Sequence, residues 1–282
     1  MSARASISAC VVAEIIGTFL LVFFGCGAVH VAVLYGGLQG LWQVGIVWGL
    51  SIMLAIYTIG QISGAHINPA ITLGFAFWNE FPRNRVLPYI VAQLAGAMLA
   101  AATLYVLFSP ALTRYERELN IRRGRDDSVL TAMCYGEYYM NPGGYQPDGD
   151  RVDVVLLRRH LAQLPTATAF LAELLGTAML GFVVARTTSP QNSEVPGKLA
   201  PVFIGLTVTA LICVLAPLTQ ACFNPARDFG PRFVAAAMGW GSVALPGPNG
   251  AGIILVYLAA PILGATLGIG LARFLAIKST AE

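Results

Sequence analysis

Apolar residues fill long stretches of this chain without a break, instead of recurring on one helical face or at every second position. No Asp, Glu, Lys or Arg occurs from Ile15 to Asn79, from Val86 to Thr113, from Leu199 to Ala226 or from Phe233 to Ala272. A helix crosses a bilayer with about 20 apolar residues, so these stretches hold several spans. The ten-residue segments of alternating polarity that mark a transmembrane barrel are not found in them. Breaking the runs at Gly, Pro and polar clusters predicts spans at about 8–35, 41–60, 86–108, 165–187, 199–217 and 252–275. Two more apolar stretches, about 68–78 and 224–237, are too short to cross. Arg4 precedes the first run, but Glu14 interrupts that run and no cleavage site follows. It reads as the first span and not as a signal peptide.

The two halves of the chain repeat. Ala13-Glu14-Ile15-Ile16-Gly17-Thr18 is echoed by Ala172-Glu173-Leu174-Leu175-Gly176-Thr177. His66-Ile67-Asn68-Pro69-Ala70 is echoed by Cys222-Phe223-Asn224-Pro225-Ala226, and Gln93-Leu94-Ala95-Gly96-Ala97 by Pro261-Ile262-Leu263-Gly264-Ala265. Each repeat holds three spans, an odd number, so the second enters the membrane from the opposite side. The expected architecture is an all-α membrane protein, with six spans and two re-entrant half-helices in an inverted repeat, an organisation typical of transport proteins. The expected divisions are a first repeat at 1–108, a long extracytoplasmic loop at 109–164 and a second repeat at 165–282. With both termini cytoplasmic, Arg4, Arg83, Arg85, Arg186, Lys198, Arg273 and Lys278 all fall on the inner side.

Composition agrees and excludes other classes. Of 282 residues, 56% are hydrophobic and 11% charged, less than half the roughly 25% charged content of soluble domains. The net charge of +3 comes with no basic stripe, so no nucleic-acid partner is expected. The five cysteines show no metal-ligand spacing, and no nucleophile–base set suggests an enzyme; no cofactor is expected. The 109–164 segment carries eight basic and eight acidic residues and reads as a solvated surface.

The two Asn-Pro-Ala triplets carry the sharpest chemistry. Each stands where a loop turns into an apolar helix too short to span. Non-helical backbone at membrane depth is tolerated where it lines a water-filled path or is buried in protein. Inverted symmetry brings the two half-helices in from opposite faces, N-termini meeting near the midplane. Pro69 and Pro225 suit a first helical turn. Asn68 and Asn224 can cap with the side-chain oxygen and keep the NH₂ free to donate into the path. Two helix N-termini focus positive potential there, which suits a hydroxyl-bearing solute and opposes a cation.

Ser63-Gly64-Ala65-His66-Ile67-Asn68-Pro69-Ala70 and Asn224-Pro225-Ala226-Arg227-Asp228-Phe229-Gly230-Pro231 resemble the two signature loops of the aquaporin and glycerol-facilitator family. Asp228, Arg232 and Pro261-Ile262 resemble its aquaglyceroporin branch. The resemblance covers the membrane core but not 109–164. It implies a passive channel for glycerol and other small uncharged solutes with some water, set as a homotetramer in the cell membrane. Arg227 is then part of a constriction, offering a fork of donors and repelling cations, with Asp228 turned away because neighbours on a helix do not face each other. Trp48 matches the family position opposite that Arg. Glycerol facilitators usually have Phe and Gly where this chain has Ala221 and Ile212, so the expected filter of Trp48, Ile212, Ala221 and Arg227 has its own shape. Water-selective members have His in place of Ile212. The carbonyls of Gly64, Ala65, His66, Gln220, Ala221 and Cys222 are expected to form an acceptor ladder, and Cys222 is a candidate for thiol reagents. A wider pore, open to urea or metalloid hydroxides because Ala221 is small, is the alternative within channels.

Glu14 and Glu173 lie at matching places in apolar runs. Carboxylates so placed can relay protons in a coupled transporter, which is the alternative from another class. The resemblance implies instead that each accepts hydrogen bonds from its re-entrant loop.

Overall fold

The computed structural model describes residues 5–147, 149, 151–190, 192 and 197–279, the last three as backbone alone. Among them six helices are long and apolar enough to cross a membrane. The first half comprises α1 (Ile7–Tyr35), α2 (Leu41–Ser63), the half-helix α3 (Pro69–Phe77) and α4 (Val86–Glu118). Two short helices, α5 (Val129–Ala132) and α6 (Val154–Leu161), lie in the connection to α7 (Thr166–Thr188). Then come α8 (Ala200–Thr219), the half-helix α9 (Pro225–Ala235), and a last span of α10 (Gly252–Ile254), a wide-turn segment Leu255–Ala259 and α11 (Ala260–Ser279). With 9 and 11 residues, α3 and α9 are about 14 and 17 Å long at 1.5 Å per residue, about half the ~30 Å of hydrocarbon.

Packing follows the repeat. The α1–α2 and α1–α4 contacts of the first half match α7–α8 and α7–α11 of the second. Across the halves, α2 packs on α8, and each half-helix lies against the last span of the other repeat, α3 on α11 and α9 on α4. The third sequence echo has a steric origin here. A Cβ on Gly96 would lie 2.3 Å from the Ile15 carbonyl oxygen, and one on Gly264 2.3 Å from that of Leu174. Without glycine, α4 and α11 could not approach α1 and α7 this closely.

Two expectations change. The third span was expected to end near residue 108, but α4 continues through Pro110 to Glu118. At 33 residues it is about 50 Å long and overshoots the hydrocarbon, so its last turns hold Arg114, Glu116 and Arg117 without placing them in lipid. The 109–164 segment was expected to be a solvated surface, yet Val129, Leu130, Met133, Tyr135 and Tyr138 are buried in one core with Leu112, Trp240 and Val243. Its balanced charges are partly paired with one another, Arg123 with Glu116 at 2.9 Å and Arg158 with Asp126. Arg123 also lies 4.2 Å over the Trp240 ring. This pairing leaves the apolar middle free to fold down onto the helix ends.

The N-terminal end of α1 and the C-terminal end of α11 share one face of the bundle. There Cys10 meets Arg85, Tyr57 meets the Lys198 carbonyl, and Arg273 meets Glu80 and the Trp78 carbonyl. Arg4 and the Lys278 side chain lie outside the described residues. The 119–147 part of the connection closes the opposite face, where Arg114 reaches the Leu34 carbonyl and the Tyr35 ring.

Candidate functional site

The site is built from two non-helical loops, 64–68 and 220–224, that lead into the half-helices. Their backbones alternate into the left-handed region: Ala65 has φ 50° and Ile67 43°, and their counterparts Ala221 and Phe223 have 57° and 54°. Such values are costly for side chains with a Cβ, most of all for β-branched Ile67, so something must hold them. Glu14 and Glu173 do so with matching geometry. Glu14 accepts from the His66 and Ile67 N–H groups at 2.9 and 2.7 Å, and Glu173 from those of Cys222 and Phe223 at 2.9 and 2.7 Å. Ser63 and Thr219 donate to the same carboxylates at 2.7 and 2.6 Å, and Gln93 donates to Glu14 at 2.8 Å. In a trans peptide the C=O points opposite to the N–H. The carbonyls of Ala65, His66, Ala221 and Cys222 therefore turn away from the glutamates, towards the side where these residues line a cavity. The Gly64 carbonyl follows the same rule, because the Ala65 N–H is held by the Ser63 hydroxyl at 3.0 Å.

The two asparagines cap α3 and α9. Asn68 Oδ1 accepts from the Ala70 N–H at 2.8 Å, and Asn224 Oδ1 from those of Ala226 and Arg227 at 3.0 and 3.4 Å. Each Nδ2 reaches across to the other repeat, Asn68 to the Phe223 carbonyl at 2.9 Å and Asn224 to the Ile67 carbonyl at 2.8 Å. These cross-links pin the two N-termini together. One proton of each NH₂ remains beyond the cross-link, and both residues line the same cavity.

That cavity, about 100 Å³, shares lining residues with two wider spaces, one towards each face of the bundle. Trp48, Ile212 and Arg227 also border a wider space of about 510 Å³ beneath the 119–147 part of the connection. Thr188 also borders one of about 490 Å³ at the end carrying Arg186 and Arg273. Trp48, Ile212, Ala221 and Arg227 thus stand together where wide meets narrow, while Gln220 faces the wide space. Below them the narrow part is walled mostly by aliphatic side chains, among them Leu21, Ile52, Ile71, Leu180 and Val208. The His66 ring lies against Phe81, with centroids 4.5 Å apart, and hydrogen-bonds Thr72 at 3.1 Å. Cys222 Sγ is engaged by the Asn224 carbonyl at 3.3 Å.

Arg227 is 3% exposed, with its guanidinium carbon 4.3 Å from the Trp48 ring centroid. Nη2 donates to the carbonyls of Gln220 and Ala221 at 3.2 and 2.9 Å. Nη1 pairs with the carboxylate of Glu137. Sequence spacing offered only the neighbouring Asp228 as a partner and did not point to Glu137. A carboxylate beside the guanidinium offsets part of its charge, so exclusion of cations also draws on the two helix N-termini and on the cost of stripping water from an ion. Glu137 did leave a signal, being the one charged residue between Asp127 and Asp148. Asp228 faces away from Arg227's side chain and binds Arg232 at 2.7 Å.

Residues 1–271 match the family described as MIP, major intrinsic protein. The glycerol uptake facilitator protein of Pseudomonas aeruginosa is 38% identical over 92% of this chain and 85% of its own. The propanediol uptake facilitator PduF of Citrobacter freundii is 36% identical over 97% and 94%. The glycerol uptake facilitator protein of Escherichia coli K12 is 35% identical over 95% and 88%. The structure of the aquaglyceroporin from Plasmodium falciparum superposes with a TM-score of 0.73 over 96% of both chains at 23% identity, a likeness of fold. This multi-pass chain, with its paired loops and full-length match, belongs to the major intrinsic protein family.

Proposed function

We propose that the protein is a passive channel for glycerol and short diols, with other small uncharged solutes and some water following the same path. The observation that carries this is the narrow passage at which two capped half-helices meet, bordered at one end by Trp48, Ile212, Ala221 and Arg227. A polyol presents carbons on one side and hydroxyls on the other. Trp48 and Ile212 would take the carbons, and Arg227, Asn68, Asn224 and the carbonyls of Gly64, Ala65, His66, Gln220, Ala221 and Cys222 would exchange hydrogen bonds with the hydroxyls. An ion finds no such match, and losing its water costs several kcal/mol or more, at order of magnitude. Relatives named for glycerol and propanediol uptake support this solute class.

In this reading the chain divides into repeats 1–108 and 165–282 with 109–164 between them on the outside. Both termini are in the cytoplasm of a cell-membrane homotetramer, with Arg83, Arg85, Arg186, Lys198 and Arg273 inside, as the bias of cations towards that side favours. Glu14 and Glu173 are structural acceptors, not proton relays, since every proton they meet belongs to a loop N–H, a hydroxyl or an amide. The small Ala221 leaves room for urea as a further solute. Stopped-flow light scattering of proteoliposomes under glycerol, urea and sucrose gradients tests the proposal. Glycerol should equilibrate faster than in empty vesicles and never accumulate under a proton gradient; accumulation above equilibrium would overturn it in favour of a coupled transporter.

A further inference from the structure

The residue that closes α8, Gln220, has φ 59° and ψ 8°. A helix that ends in this left-handed conformation usually does so on Gly or Asn, so a long side chain stands here against the backbone's preference. The backbone of Gln220 is already satisfied. Its N–H donates to the Ala216 carbonyl at 3.0 Å, and its C=O accepts from Arg227 Nη2 at 3.2 Å. The side chain is therefore not needed to end the helix.

Its amide reaches instead to the outer connection, 82 and 87 positions back along the chain. Oε1 accepts from the Tyr138 N–H at 2.9 Å, and Nε2 donates to the Met133 carbonyl at 3.3 Å. A backbone N–H only donates and a C=O only accepts, so these partners fix which way the amide faces. A carboxylate would lack the donor and a thioether would offer neither bond at strength. Asn141 makes a second tie in the reverse sense. Its Nδ2 donates at 2.8 Å to the Ala216 carbonyl, the same oxygen that the Gln220 N–H uses. Two amides thus fasten the 133–141 segment to the last turn of α8. α9 and the 241–249 segment hold its other sides, through the Glu137 N–H on Asp228 at 2.7 Å and the Tyr138 hydroxyl on the Val243 carbonyl at 3.0 Å. Among these ties, Gln220 is the one that belongs to the filter loop.

The next residue, Ala221, brings only a methyl group to the narrow cavity. Gln220 borders the wide space outside it, where Met133 and Asn141 stand with Trp48, Ile212 and Arg227. The step from wide to narrow therefore falls between two consecutive residues, and the segment that Gln220 holds builds part of its outer side. We infer that Gln220 is a positioning residue for solute size. Its amide fixes the 133–138 segment at the entrance of the constriction, and so closes the room that the small Ala221 leaves. The inference rests on the reading of that constriction as the selective part of the path.

The test compares glycerol with the four-carbon polyol erythritol in proteoliposomes, with fluxes normalised per folded channel. Gln220→Met keeps the reach of the side chain and removes both bonds. It should raise the erythritol-to-glycerol flux ratio at least about twofold, the low end of couplings within one hydrogen-bonded network. Asn141→Ala loosens the same segment without touching the filter loop, and should move the ratio in the same direction. It also carries the test should Gln220→Met fail to fold. Ala221→Phe added to Gln220→Met should bring the ratio back towards wild type, because the ring and the segment bound the same gap. A merely structural role would lower both fluxes together, so a ratio that stays put or falls in Gln220→Met and Asn141→Ala overturns the inference. A rise in Gln220→Met that Ala221→Phe leaves untouched overturns it as well, since Gln220 would then act away from position 221. A wild type that conducts no glycerol overturns the channel reading itself, whereas a conducting wild type with an unmoved ratio rejects only the positioning role.

Discussion

Replacing Glu173 by Gln and by Ala separates a loop-holding carboxylate from a proton relay. Glu173 satisfies two buried backbone N–H groups, those of Cys222 and Phe223, and one hydroxyl, that of Thr219. A Gln has one oxygen for the two N–H groups, so its NH₂ must face the other, donor against donor. Leaving one buried group unpaired costs about 1–3 kcal/mol. The Thr219 hydroxyl can rotate to accept, which spares a further loss. An Ala strands both N–H groups at about 2–6 kcal/mol, leaving the strained φ values at Ala221 and Phe223 to the contacts on their carbonyls alone. Glu14→Gln should resemble Glu173→Gln, because Gln93 can turn its amide and offer Oε1, which has no partner in the wild type, to the new NH₂. The expected order of thermal stability in detergent is wild type, then Gln, then Ala, at both sites. Glycerol flux per folded channel should persist in the Gln variants and ignore an imposed proton gradient. A Gln variant as stable as wild type but without transport would refute the reasoning, because it would make the proton and not the hydrogen-bond acceptor essential.

The filter makes a second prediction. Ala221→Phe adds a ring beside Ile212, and crowding of ~1–2 kcal/mol should slow glycerol by roughly 5–30-fold. Adding Ile212→Gly should restore much of the rate, as read by stopped-flow scattering; unchanged glycerol and urea fluxes would mean that position 221 does not line the constriction. Gly25→Ala should also impair the filter, since a Cβ there would lie 2.3 Å from the Trp48 ring and must displace it from Arg227; flux and intrinsic fluorescence should change together. Asn68→Ala and Asn224→Ala should each lower stability by about 1–2 kcal/mol through the lost cap and by more through the lost cross-link, measured as a fall in melting temperature.

Much of the membrane fold was legible because lipid leaves the chain few choices. A bilayer demands about 20 apolar residues per span and satisfied backbone groups, so spans show as charge-free runs and their interruptions stand out. The paired Asn-Pro-Ala triplets, the paired Ala-Glu steps and the Gly96–Gly264 echo were visible because each answers a constraint that occurs twice in an inverted repeat. The end of α4 was misjudged because a helix leaving the bilayer no longer needs apolar residues. Nothing in the composition of 109–118 distinguishes a helix end beyond the bilayer from a loop.

By itself, then, the sequence determined the spans, the half-helices, the symmetry and the candidate residues each repeat contributes, all consequences of local hydropathy and short-range spacing. Only the tertiary structure decided which groups meet across long separations. Glu137 lies 90 positions before Arg227, and its chain neighbours carry no period that aims it. Its placement goes with the burial of Tyr135 and Tyr138, with the ion pair of Asp228 and Arg232, and with the charge pairing of Arg123 with Glu116 and of Arg158 with Asp126. A charge count sees eight cations and eight anions and reads solvent. Folding pairs several of them with each other, and that releases the uncharged middle of the segment to pack onto the channel end and set one carboxylate on the guanidinium.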